Sequence, residues 1–161
     1  MLTTYLADIE QLLDEQSWEA AMRDSLDLPD IAVALAEPRL HASAEAVRKW
    51  CADWIRPLQT DGDSRGVDPE RVSRALRERV SSEASNAGVP AKALRRLRMR
   101  RLARTPPSRF ATERARSSDS EGNDAVDICT TLVEAVRRWY AHAACRDPIV
   151  QANLGRLAIL R

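Results

Sequence analysis

The segment from Asp124 to Cys145 has apolar residues on more than half of the circumference of the helix that it predicts. These residues are Val126, Ile128, Cys129, Leu132, Val133, Val136, Trp139, Tyr140, Ala143 and Ala144. A helix of this kind needs neighbours on several sides, which predicts a central position in a helical bundle. Asp147 and Pro148 then open a final helix, whose apolar residues continue to Ile159.

Apolar residues also recur at steps of three and four through the first third of the chain, which predicts further amphipathic helices. Pro29 interrupts the second of them, because proline lacks a backbone donor. The predicted helices are Thr3 to Gln16, a second after Ser17, a third from Asp30 to Ala36 and a fourth after Ser43. On the fourth, Trp50 and Trp54 lie one turn apart, and we interpret them as core anchors in preference to a platform for stacked bases.

Strand formers are scarce, since aromatic residues make up 4% of the chain and β-branched residues never alternate over a usable run. The stretch Thr105 to Asn123 contains adjacent prolines, several serines and no apolar periodicity, which indicates a long flexible connection. The sequence therefore predicts an all-α fold. We expect a single-domain bundle of six or seven helices over residues 1–161, with the basic, serine-rich connection 105–123 before the last two helices.

The chain has no apolar run long enough for a membrane span, and its first residues lack the layout of a secretory signal. We therefore expect no membrane partner and a cytoplasmic location. Cys51, Cys129 and Cys145 stand far apart inside apolar patterns and are interpreted as buried free thiols. No Cys/His spacing suits zinc and no glycine loop suits a phosphate, so neither a metal nor a cofactor is expected.

The charge of the chain is distributed unevenly. Residues 1–37 hold nine acids and one base, a net charge of −8, and residues 92–116 hold ten bases and one acid, a net charge of +9. We expect the acids of the first segment to lie on solvated helix faces, with no carboxylate pair that stands out for catalysis. The basic segment is able to face a polyanion or to pair with acidic faces of the same chain, another copy or a partner protein.

Around the basic segment the sequence predicts a helix from Asp68 to Ala87, a break at Gly88, and an arginine-dense helix from Ala91 to Arg104. Over about twenty residues this arrangement resembles the helix-turn-helix family of DNA-binding proteins, with Ala91 to Arg101 as the recognition helix. The residues that carry the resemblance are Ala84, Gly88, Val89, Leu94 and Leu97. Glu83 departs from it, because the family has an apolar residue there. A glycine that ends one helix and a proline that begins the next are also ordinary features of any helical bundle.

On the arginine-dense helix we expect Leu94 and Leu97 to face inward and the basic side chains to face a ligand. The candidate nucleic-acid-binding residues are Lys92, Arg95, Arg96, Arg98, Arg100, Arg101 and Arg104. They favour a non-catalytic protein that binds the backbone of DNA or RNA, or a subunit of a nucleoprotein complex. In shape and charge such a chain resembles the small accessory subunits of RNA-guided effector complexes. The alternative from another class is a protein-interaction adaptor or oligomeric scaffold with opposed acidic and basic faces.

A third function, an enzymatic one, rests on Arg137 and His142. Their spacing is similar to the R-x4-H motif of the HEPN ribonuclease family, in which the motifs of two helical protomers meet on an RNA phosphodiester. The resemblance implies a charge-stabilising role for Arg137 and an acid or base role for His142. On a straight helix the two side chains point roughly 140° apart. They would converge only across a dimer or a break, and residues 138–141 indicate no break.

Overall fold

A computed structural model describes residues 1–59, 71, 72, 74–76, 78, 94, 95 and 119–159. Within these ranges the chain is helical and contains no strand, so the predicted all-α class is confirmed. The helices are α1 (Leu2–Asp14), α2 (Trp18–Leu26), α3 (Leu28–Ala36), α4 (Ala44–Trp54), α5 (Asp119–Trp139) and α6 (Pro148–Ile159). A 3₁₀ turn, Arg56–Gln59, follows α4, and a π-turn, Tyr140–Ala144, continues α5. Residues 71, 72, 74–76, 78, 94 and 95 are also helical.

Helix α5 lies at the centre of the bundle, as its apolar circumference predicts. It contacts α1, α2, α3 and α4, most extensively α2. Its buried side chains are Ala125, Ile128, Cys129, Thr131, Leu132, Val133, Ala135, Val136 and Trp139. The α5 helix begins at Asp119, five residues before the predicted Asp124, so the end of the predicted connection 105–123 is helix; residues 105–118 lie outside the described ranges.

Proline accounts for the corner between α2 and α3. The chain bends at Asp27, and Pro29 lies in the first turn of α3, where a missing backbone N–H leaves no helical hydrogen bond unmade. Helix α3 therefore begins two residues earlier than the predicted Asp30. It is apolar and buried along nearly its whole length, from Leu28 to Leu35.

Side chains cap two of the helix starts, whereas Ser17 precedes α2 without a side-chain cap bond. Ser43 Oγ accepts a hydrogen bond from Ala46 N at 3.2 Å, at the start of α4. Asp147 Oδ1 accepts one from Ile149 N at 2.7 Å and another from Val150 N at 3.3 Å, at the start of α6. These bonds satisfy donors that the first helical turn leaves without an internal partner.

A buried asparagine joins α6 to the end of α3. Asn153 Nδ2 donates to the backbone oxygens of Leu35 at 3.0 Å and Glu37 at 2.8 Å. Arg156 Nη1 donates to Pro38 O at 3.1 Å, just beyond. The side chains of α6 thus bind backbone carbonyls where α3 ends and the chain turns toward α4.

We predict that Asn153→Ala lowers the free energy of unfolding by about 1–3 kcal/mol, because it leaves backbone acceptors without their donor. Urea denaturation followed by circular dichroism measures the change. Gln151→Ala is the matched control on the same helix. Gln151 is exposed and its bonds are 3.3–3.4 Å long, so its loss should change the value by less than about 0.5 kcal/mol. Equal losses in the two variants would contradict the role given to Asn153.

Candidate nucleic-acid interface

The structure describes one of the seven predicted basic contact residues, Arg95. Its neighbour Leu94 is 7% exposed and belongs to the main hydrophobic core, whereas Arg95 is exposed. One residue turns a helix by about 100°, so a buried leucine and a solvent-facing arginine are compatible at adjacent positions. Arg95 forms no ion pair within the part of the chain that the structure describes. The predicted burial of Leu94 and exposure of Arg95 are confirmed.

The remaining predicted contacts fall outside the described ranges. They are Lys92, Arg96, Arg98, Arg100, Arg101 and Arg104. The same holds for Ala84, Gly88, Val89 and Leu97, on which the helix-turn-helix resemblance depends.

Three of the described residues that precede the basic segment contact the core. Val72 is 1% exposed, and Ala75 and Leu76 pack against the core with partial burial. Arg71 is half-exposed and forms an ion pair with Asp124 near the start of α5. This pair joins residues 53 positions apart, so no local pattern in the sequence could have revealed it.

Arg137 and His142 lie on either side of a change in helix type. The chain passes from α5 into the π-turn at Tyr140, where Cys145 N donates to Tyr140 O at 2.8 Å, five residues back. The sequence-based expectation of an unbroken helix here is therefore wrong. A π-turn holds more residues than an α-turn, which reduces the angle between the two side chains below the straight-helix value.

Arg137 and His142 have different surroundings within the described chain. Arg137 Nη2 bonds Glu10 Oε2 of α1 at 2.8 Å. His142 is exposed on the π-turn. The Arg137 guanidinium thus forms an ion pair that connects α5 to α1.

Trp50 is a core residue, as predicted. Its ring meets that of Trp139 edge to face, with centroids 6.4 Å apart and an interplanar angle of 70°. This geometry is favourable for aromatic pairs and leaves no face of Trp50 open to a base, since the residue is buried. Trp54 is half-buried and packs against the same core.

The acids of residues 1–37 do not all lie on solvated faces, and in this respect the prediction is wrong. Asp24 and Asp27 are 1% and 2% exposed, at the end of α2 and at the corner before α3. Arg23 Nε bonds Asp24 Oδ1 at 3.3 Å, and Tyr5 OH donates to the backbone oxygen of Asp24 at 3.2 Å. Buried carboxylates reduce the acidic surface that residues 1–37 present to solvent.

All three cysteines are free, but their environments differ. Burial, followed by the charge of Asp30, raises the pKa of the Cys51 thiol to about 12. Burial is also the main cause that raises the pKa of Cys129 to about 11, with the nearby Asp24 contributing in the same direction. Both thiols are therefore protonated and poorly nucleophilic near neutral pH. Cys51 is partly buried and Cys145 is exposed, so the predicted burial is confirmed for Cys129 alone.

Among the described residues no group of histidine, cysteine, aspartate or glutamate side chains is arranged to hold a metal ion. None of the helices in those ranges combines the length and the apolar character needed to cross a membrane. No family model matches the chain, and neither a curated protein nor a solved structure matches it.

We predict that Leu94→Ala destabilises the fold strongly, whereas Arg95→Ala leaves its stability nearly unchanged. Leu94→Ala should lower the free energy of unfolding by about 2–5 kcal/mol, because it opens a cavity in the core. Arg95→Ala should change it by less than about 0.5 kcal/mol, because the side chain lies in solvent. Chemical denaturation of both variants measures this. A large destabilisation by Arg95→Ala would show that Arg95 has a structural role.

Proposed function

We propose that the chain is a non-catalytic nucleic-acid-binding protein, or a subunit of a nucleoprotein complex, that binds the phosphate backbone through residues 92–116. The observation that carries the proposal is the arrangement of Leu94 and Arg95. A buried leucine anchors the basic segment to the core, and the adjacent arginine stays exposed without an ion pair among the described residues.

The charge of this segment supports a polyanionic ligand. Ten bases against one acid in 25 residues create a strong local positive field. Arginine is suited to phosphate because its planar guanidinium donates two parallel hydrogen bonds. Contacts to phosphates carry no sequence information, so such a protein should bind DNA and RNA of any sequence with a steep dependence on salt.

We predict that replacing Arg95, Arg96, Arg98 and Arg101 together by alanine weakens binding to DNA and RNA alike. If each arginine contacts one phosphate, the slope of log affinity against log salt should become shallower by about 3. Fluorescence anisotropy with labelled oligonucleotides at several salt concentrations gives both quantities.

A matched control removes four exposed arginines elsewhere, namely Arg39, Arg48, Arg56 and Arg74. It makes the same change in net charge and should have a much smaller effect on affinity. Equal losses in the two quadruple variants would mean that overall charge, and not the basic segment, governs binding. Unchanged binding in the first variant would eliminate the proposal.

A second candidate function, a protein-interaction adaptor, is favoured by the outer face of α6. Ile159 is 78% exposed and Ile149 is 37% exposed. Between them on the same side of the helix, Ala152 and Gly155 are also exposed. The charged residue on this face, Arg156, is bonded back to Pro38 O. An apolar solvent-facing stripe of this kind is typical of a contact with a second protein or a second copy of the chain.

If the chain is an adaptor that self-associates, its molar mass in size-exclusion chromatography with light scattering should increase with protein concentration. Ile159→Lys should abolish this dependence, because it places a charge in the apolar contact. Gln11→Lys, at an exposed position of α1, is the control and should leave the size unchanged. A monomer at all concentrations would remove self-association from consideration.

A further inference from the structure

Two ion pairs tie distant parts of the described chain to α5. Arg71 pairs with Asp124 near its start, and Arg137 pairs with Glu10 near its end. The side chains in both pairs are about equally exposed: 50% and 51% in the first, 47% and 44% in the second. Water and salt weaken ion pairs that are this exposed. Each arginine can therefore exchange its carboxylate for another anion at little cost.

The α1 and α5 helices do not need the Arg137 pair to stay together. Leu6 and Ile9 on α1 and Val136 on α5 are buried in the same core and supply the apolar contact between these elements. Burial of these apolar side chains stabilises the contact between α1 and α5 more than an exposed ion pair does. Glu10 and Arg137 are thus able to separate without opening the bundle.

Arg137 also has unused hydrogen-bonding capacity. Its Nη2 bonds Glu10, and no other acceptor binds its guanidinium within the described part of the chain. A guanidinium has five N–H donors, so most of them remain available. A phosphate takes two of them at once, which a single carboxylate oxygen does not.

Several basic residues lie at this end of α5, between Glu134 and Asp147. The segment 135–146 contains three arginines and one histidine and no acid. His142 and Arg146 are exposed, on and just after the π-turn. Glu10 of α1 bonds Arg137 at 2.8 Å, and its carboxylate lies at a position that an anion from solution could also take.

We propose that Arg137 is a second phosphate contact, and that Glu10 occupies it in the free protein and is displaced by the nucleic-acid backbone. This inference rests on the proposed function, since it adds a contact to the same ligand. It makes Glu10 an internal competitor that lowers the affinity of the free protein for polyanions.

The test compares Glu10→Gln with Asp124→Asn in anisotropy titrations of the full chain with a labelled single-stranded RNA. Both substitutions remove one negative charge from a similarly exposed arginine pair, so they change the net charge equally. Glu10→Gln should raise the affinity about two- to fivefold more than Asp124→Asn does, which corresponds to about 0.4–1 kcal/mol. In the Arg137→Gln background, the excess of the Glu10→Gln gain over the Asp124→Asn gain should disappear.

Equal gains from Glu10→Gln and Asp124→Asn would overturn the inference, because net charge alone would then explain them. An excess of the Glu10→Gln gain over the Asp124→Asn gain that persists with Arg137→Gln would overturn it as well. If the wild-type chain binds RNA but the variants give either of these two results, the proposed function stands without the second contact. If the wild-type chain binds neither RNA nor DNA at low salt, both proposals fail. Circular dichroism of each variant confirms that the fold is unchanged.

Discussion

Helix α5 buries apolar side chains against α1, α2, α3 and α4, and the positions of the other elements follow from this packing. The core also includes Val72 and Leu94, so the two described parts of the middle of the chain are attached to the same set of side chains. Polar contacts refine the arrangement. Asn153 binds the end of α3, and exposed ion pairs connect Arg71 and Arg137 to carboxylates far away in the sequence.

Periodicity in the sequence was sufficient for the helical class, the central helix and the inward faces. Leu6 and Ile9 on α1, Trp50 on α4 and Val136 on α5 each belong to an apolar pattern with helical spacing, and all four are buried. Local capping signals were equally informative at Ser43 and Asp147, because an N-cap acts on residues two or three positions away.

Contacts between distant residues were not predictable in this way. Glu10 and Arg137 are 127 positions apart, and nothing near either one identifies its partner. The burial of Asp24 and Asp27 was missed because charged residues are assigned to solvent by default. The π-turn at Tyr140 was missed because it depends on how the end of α5 meets its neighbours, and residues 138–141 contain neither proline nor glycine. For the candidate interface, the sequence supplied the charge and the structure supplied the orientation of Leu94 and Arg95.

The account depends on a basic segment that is anchored to the core and meets a phosphate backbone on its outer side. Ultraviolet crosslinking of the chain to a single-stranded RNA, with mass spectrometry of the modified peptides, tests this most directly. The account predicts adducts concentrated within residues 92–116, lost when the salt concentration rises. Adducts confined to α4 or α6, or no adducts under conditions that crosslink a known RNA-binding protein, would contradict it.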